Sequence, residues 1–125
     1  MKNVQYVGSR IYIKDNHSLT NLNGLERITN LEAIILSNNH SLNDLSGISN
    51  LTSVTEGITI LGNDSLKDLT AFQNITTVEY LTIDLNNLLT SLKGLENITS
   101  IGNLLHIYDN ANLSSLNGIE NLNQN

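Results

Sequence analysis

The chain has 125 residues, 39% of them hydrophobic and 14% charged, which supplies apolar material for the core of one domain and argues against disorder. With no cysteine there is no disulfide, no thiolate-bound metal and no cysteine nucleophile, and with no tryptophan and 4% aromatic residues the core must be aliphatic. Six Lys and Arg against twelve Asp and Glu give a net charge of −6, which opposes nucleic-acid backbones, and no apolar run is long enough for a signal peptide or a membrane span.

In chain order, the elements repeat. Residues 1–9 predict the second half of a turn, with Met1, Asn3, Val4, Val7 and Gly8 in the places later held by Leu95, Asn97, Ile98, Ile101 and Gly102. Arg10 to Lys14 is the first expected strand, with Ile11 and Ile13 on one side and Tyr12 on the other. Each later copy has the same alternating pair: Ile34 and Leu36, Ile58 and Ile60, Leu81 and Ile83, Leu105 and Ile107. An asparagine follows each pair by three residues, and Asn16, Asn39, Asn63, Asn86 and Asn110 are separated by 23, 24, 23 and 24 residues. A fixed period of this length predicts a solenoid, in which each unit buries its apolar edge only by stacking on its neighbours. The additional residue in the longer steps accompanies Gly8, Gly57 and Gly102, where a small bulge ahead of the strand is expected. No stretch has the composition of a linker, so residues 1–125 are expected to form a single domain: a half turn followed by five repeats.

Beyond each strand, apolar residues recur every third position, as in Leu89, Leu92, Leu95, Ile98 and Ile101. This period suits neither a strand nor a sustained α-helix, and predicts a chain wrapping a narrow core in tight turns, with one 3₁₀ turn near Gly-Leu-Glu-Asn. The five asparagines fall among core positions, where an unpaired amide costs about 1–3 kcal/mol, so their side chains are expected to bond backbone groups of their own and adjacent turns as a ladder. A second set, Asn3, Asn50, Asn74, Asn97 and Asn121, with Arg27 as its exception, predicts a second ladder.

The strings Leu31-x-x-Ile34-x-Leu36-x-x-Asn39 and Val78-x-x-Leu81-x-Ile83-x-x-Asn86 resemble the core motif of leucine-rich repeats. The next Leu lies three residues after the Asn and the convex half is short and non-helical, and in those respects the chain resembles the receptor L-domain-like and internalin-like bacterial repeats. The resemblance implies a leucine-rich-repeat solenoid, a right-handed superhelix with one short parallel β-strand per turn of 23–24 residues, a 3₁₀ or extended convex side and about five turns. It also implies protein binding through the exposed sheet, without catalysis. Such arrays usually carry terminal caps; none is evident in this sequence, and apolar ends predict homo-oligomer formation or contact with a neighbouring domain.

Copies of one unit within one chain can be compared with each other, and positions free of the core diverge most. The expected outward columns read Arg10, Ala33, Gly57, Tyr80, Leu104; then Tyr12, Ile35, Thr59, Thr82, His106; then Lys14, Ser37, Leu61, Asp84, Tyr108. Aromatic side chains among aliphatic ones are what protein interfaces use, and the expected partner-binding residues are Tyr12, Lys14, Ile35, Leu61, Tyr80, Asp84, Leu104, His106 and Tyr108. No phosphate loop and no Ser/His/Asp group sharing a pocket is evident, so neither catalysis nor a cofactor is expected. His17, His40 and Asp64 share a column, which repetition of the unit explains without a metal. Two alternative functions are an acidic inhibitor or immunity-type protein that blocks a target enzyme, and a flat ice- or glycan-binding face, for which only Thr59 and Thr82 supply a threonine column. With no leader in the sequence, the expectation is a cytoplasmic protein or a mature extracellular fragment.

Overall fold

Apolar and polar residues alternate over each predicted strand, and a parallel sheet satisfies that pattern when its inward side chains stack in rows. In the computed structural model, which describes residues 9–122, the chain is a parallel β-solenoid of about four turns with almost no helix. Its strands are β1 (Arg10–Lys14), β2 (Asn30–Ser37), β3 (Ser53–Leu61), β4 (Thr77–Asp84) and β5 (Ser100–Tyr108), and they lie in the sheet in sequence order. The half turn expected over residues 1–9, including Asn3 and Gly8, lies outside the described residues except for Ser9.

The register aligns Ile13, Leu36, Ile60, Ile83 and Ile107 in one inward row and Ile11, Ile34, Ile58, Leu81 and Leu105 in another. The three inner members of each row are fully buried. They pack with the residues of period three on the opposite wall, among them Leu42, Leu66, Leu89, Ile48, Phe72 and Leu95, into one aliphatic core. The core loses its cover toward the last turn, where Leu105 and Leu116 are exposed although their counterparts in the three preceding turns are buried. The two longer steps appear as register shifts. β3 gains one residue against β2 between Leu31 and Ala33, and β5 gains one against β4 between Val78 and Tyr80. These are the bulges expected at Gly57 and Gly102.

Asn39, Asn63 and Asn86 are wholly buried, and each spans two turns in the same way. Asn63 Nδ2 donates to the Leu36 carbonyl of the preceding turn at 2.9 Å, while its Oδ1 accepts the Asn39 backbone N–H at 3.2 Å. Asn39 does the same to Ile13 and Asn16, Asn86 to Ile60 and Asn63, and Asn110 to Ile83 and Asn86. The second ladder also forms: the side chains of Asn50, Asn74, Asn97 and Asn121 donate to the carbonyls of Glu26, Ser49, Gln73 and Glu96.

The convex corners differ from the expected 3₁₀ turn at Gly-Leu-Glu-Asn. The 3₁₀ turns occur in the other copies, at Ser46–Ile48 and Thr70–Phe72. In the copies with Gly24, Gly94 and Gly118 the glycine takes a positive φ of 112 to 121°, a region that other residues avoid. A glutamate two residues on, Glu26, Glu96 or Glu120, accepts that glycine's N–H. The copies that have Ser49 or Gln73 in place of the glutamate adopt 3₁₀ geometry, in which the N–H groups of Ser46 and Thr70 donate to the side chains of Asp44 and Asp68. Ala71 therefore stands where other copies have glycine without needing a positive φ.

The hydrogen bond from the Ser46 N–H holds the Asp44 carboxyl below its ordinary pKa, and that from the Gly118 N–H does the same for Glu120. A lowered folded pKa gives stability that is present above the unfolded value and lost as pH falls through the folded one. Melting temperature should therefore decline below about pH 4, and the double variant D44N/E120Q should flatten that acid limb. Asn63→Ala strands a buried N–H and a buried carbonyl and should destabilise the fold by about 2–4 kcal/mol in denaturant titration. Asn16→Ala, which removes one exposed bond to the Lys14 carbonyl, should cost far less.

Candidate functional site

The outward face of the sheet carries the side chains that the core and the two ladders do not use. Its register reproduces all three expected columns, Arg10 to Leu104, Tyr12 to His106 and Lys14 to Tyr108, so the nine candidate residues lie on one surface. Tyr12 and Tyr108 stand on the outermost strands, about 19 Å apart across four strand spacings. They are 63% and 59% exposed, and Leu104 is 50% exposed. Lys14 and His106 are exposed, whereas Ile35, Leu61, Tyr80 and Asp84 are half-buried.

The first column is largely engaged within the molecule. Arg10 reaches across β2 to Glu56, donating from Nη2 to Oε1 at 2.6 Å and from Nε to Oε2 at 3.2 Å, and its Nη1 lies 3.6 Å from Glu32. This reach is possible because the neighbour of Arg10 in the register is the small Ala33. The Tyr80 ring lies over Gly57, where an added Cβ would come within 2.6 Å of two ring carbons. Tyr80 thus covers the bulge glycine rather than standing free. Burial pushes its phenol above the ordinary tyrosine pKa, with Glu56 adding to the shift.

The far corner of the face is organised differently. The His106 and Tyr108 rings meet edge to face with centroids 5.7 Å apart, and His106 Nε2 lies 3.4 Å from Asp84 Oδ1. That approach is short enough for attraction to a protonated imidazole, yet it lies off the hydrogen-bond direction. Asp84 Oδ1 is shielded from solvent and has no hydrogen-bond partner among the described residues.

Where the strands end, a further row forms. The His17 and His40 rings stack 5.3 Å apart, His40 Nδ1 lies 2.8 Å from Asp64 Oδ2, and Asn87 Nδ2 donates to Asp64 Oδ1 at 2.8 Å. The column of His17, His40 and Asp64 is thus one polar row in which His40 and Asn87 occupy the carboxylate, and no group of three metal-ligating side chains occurs among the described residues.

Two exposed residues beside this face lie outside the candidate set: Leu85, 46% exposed, and Leu88, 43% exposed. The signal for them was present in the repeat. The position of Leu85 is Asp15, Asn38, Gly62 and Asp109 in the other copies, and that of Leu88 is Ser18, Ser41, Ser65 and Asn112.

In comparisons with known proteins the chain matches no protein-family model, no curated protein and no solved structure. No helix among the described residues is long and apolar enough to cross a membrane.

The half-buried phenol of Tyr80 yields a pH test. Because its folded pKa is raised, the stability it gives is complete below the unfolded tyrosine value of about 10 and is lost as pH rises through the folded value. Ultraviolet difference titration should show a tyrosine phase above the ordinary tyrosine range, and Y80F should remove that phase.

Proposed function

We propose that the chain is a non-enzymatic leucine-rich-repeat module of about five repeats, which binds a protein through the outward face of its parallel sheet. One observation carries this reading: the outward columns vary from turn to turn while the inward rows and the asparagine ladder from Asn16 to Asn110 keep one chemistry, and that variable face exposes Tyr12 and Tyr108 at its two sides. Two rigid amphipathic rings separated by aliphatic and polar positions suit a protein surface, since aromatic residues bury large areas at small entropic cost. The small residues of the first column favour the same assignment. With Ala33 and Gly57 as its floor and Arg10 and Tyr80 lying over them, that edge is pre-ordered, so little freedom remains to be lost on association.

Among the described residues of the face, the one histidine-carboxylate contact, His106 with Asp84, is not a hydrogen bond, so it does not hold the imidazole as a general base. Regular threonine rows, which an ice-binding plane would use, are confined to Thr59 and Thr82, with Ile35 and His106 on either side.

The test is to recover a partner by affinity capture and mass spectrometry and then measure its affinity for the double variant Y12S/Y108S. Both side chains are exposed, so the fold should persist by circular dichroism while affinity falls about a hundredfold, as for two interface anchors. Unchanged affinity would refute the assignment.

A further inference from the structure

Leucine 85 occupies a backbone position that leucine is poorly suited to hold. The residue after each strand is left-handed in every copy: Asp15, Asn38, Gly62, Leu85 and Asp109 have φ of 60, 57, 70, 56 and 50°. Aspartate, asparagine and glycine tolerate this region, whereas a bulky L-residue is strained there. Three residues on, Leu88 replaces the serine or asparagine of the other copies, and both leucines project into solvent. One turn of the coil therefore carries two unfavourable choices side by side. Strain of this kind persists at sites where the side chain has another use.

The surroundings identify what would cover these leucines. The Leu85 N–H donates to the Tyr108 carbonyl, which places the leucine beside the exposed Tyr108 ring's strand, and Asp84 and Asp109 flank it along the chain and in the neighbouring turn. One oxygen of the Asp84 carboxylate is shielded from solvent and lies 3.4 Å from His106 Nε2, so its charge acts on the surface through space rather than through a direct bond. Of these two aspartates, Asp109 is exposed and Asp84 half-buried. An apolar pair beside two aspartates suits a partner whose own apolar side chain is accompanied by a cation, and it disfavours both an anionic lipid surface and a second copy of this acidic chain.

We infer that Leu85 and Leu88, with Tyr108 and Asp84, form a docking point for a protein segment that presents an aliphatic or aromatic side chain next to a lysine or arginine. This inference rests on the reading of the sheet as a protein-binding face and gives that face a site and a partner chemistry.

The experiment is a selection of phage-displayed random dodecamer peptides on the intact chain, followed by affinity measurements on synthetic peptides with wild type, L85N/L88S and Y12S. Selected peptides should pair an apolar side chain with Lys or Arg. Their affinity should fall by about tenfold or more in L85N/L88S, and also when the peptide cation is replaced by glutamate. The melting temperature of L85N/L88S should stay level or rise, because asparagine accepts the left-handed backbone, so loss of binding cannot be assigned to unfolding. A selection without binders, or binders indifferent to L85N/L88S or to the charge reversal, would overturn the inference. So would sedimentation showing a wild-type dimer that L85N/L88S dissolves, which would make a second copy the occupant. Loss of binding in Y12S with none in L85N/L88S would sink the docking point alone, whereas indifference to both variants would remove the sheet reading as well.

Discussion

A primary amide placed inside an aliphatic core is tolerable only when its donors and acceptor are all used, and in this coil that demand welds one winding to the next. Each buried asparagine satisfies two backbone groups of the preceding turn, an N–H through Oδ1 and a carbonyl through Nδ2. The N–H belongs to the equivalent asparagine just past the strand of the preceding turn and the carbonyl to the last inward residue of that strand. The amide therefore allows the core to extend past the end of the strand. The inward rows then follow from register, because fixing Asn39 against Asn63 also fixes Leu36 against Ile60.

The convex side shows how one corner is turned by two local chemistries. A glycine with positive φ tied to a glutamate two residues later, and a 3₁₀ turn whose first N–H groups are held by an aspartate, bring the chain back to the same place. The two solutions are not interchangeable residue by residue. The glutamate belongs with the left-handed glycine and the aspartate with the 3₁₀ turn, so the polar residues that differ between copies form a correlated set. Glu26, Ser49, Gln73, Glu96 and Glu120 thus mark a position whose capping role changes where the backbone does.

Strand positions, the inward rows, both ladders and the bulges at Gly57 and Gly102 were legible in the sequence, because alternation of period two and spacing of 23–24 residues are rules applied five times over. The corner geometry was not, since a Gly-x-Glu pattern does not by itself distinguish a 3₁₀ turn from a positive-φ glycine whose N–H is held by the carboxylate. Nor was the difference between Tyr80 and its two fellow tyrosines. It depends on the missing side chain of Gly57, which lies beside Tyr80 only once the strands are in register. Leu85 and Leu88 lie outside the strand columns in which the copies were compared, although the residue just past each strand carries as clear a rule, aspartate, asparagine or glycine, and breaks it once.

The asparagine bridges have a direction. In every pair the later turn lends its side chain to the earlier one, and Asn112, Ser65 and Thr52 donate to earlier carbonyls in the same sense. A polypeptide leaving the ribosome amino end first would thus have each winding's vacancies filled by the winding that emerges next. At any moment during synthesis only the youngest turn would be left wanting, so the growing coil would carry a single sticky tip rather than a sticky flank.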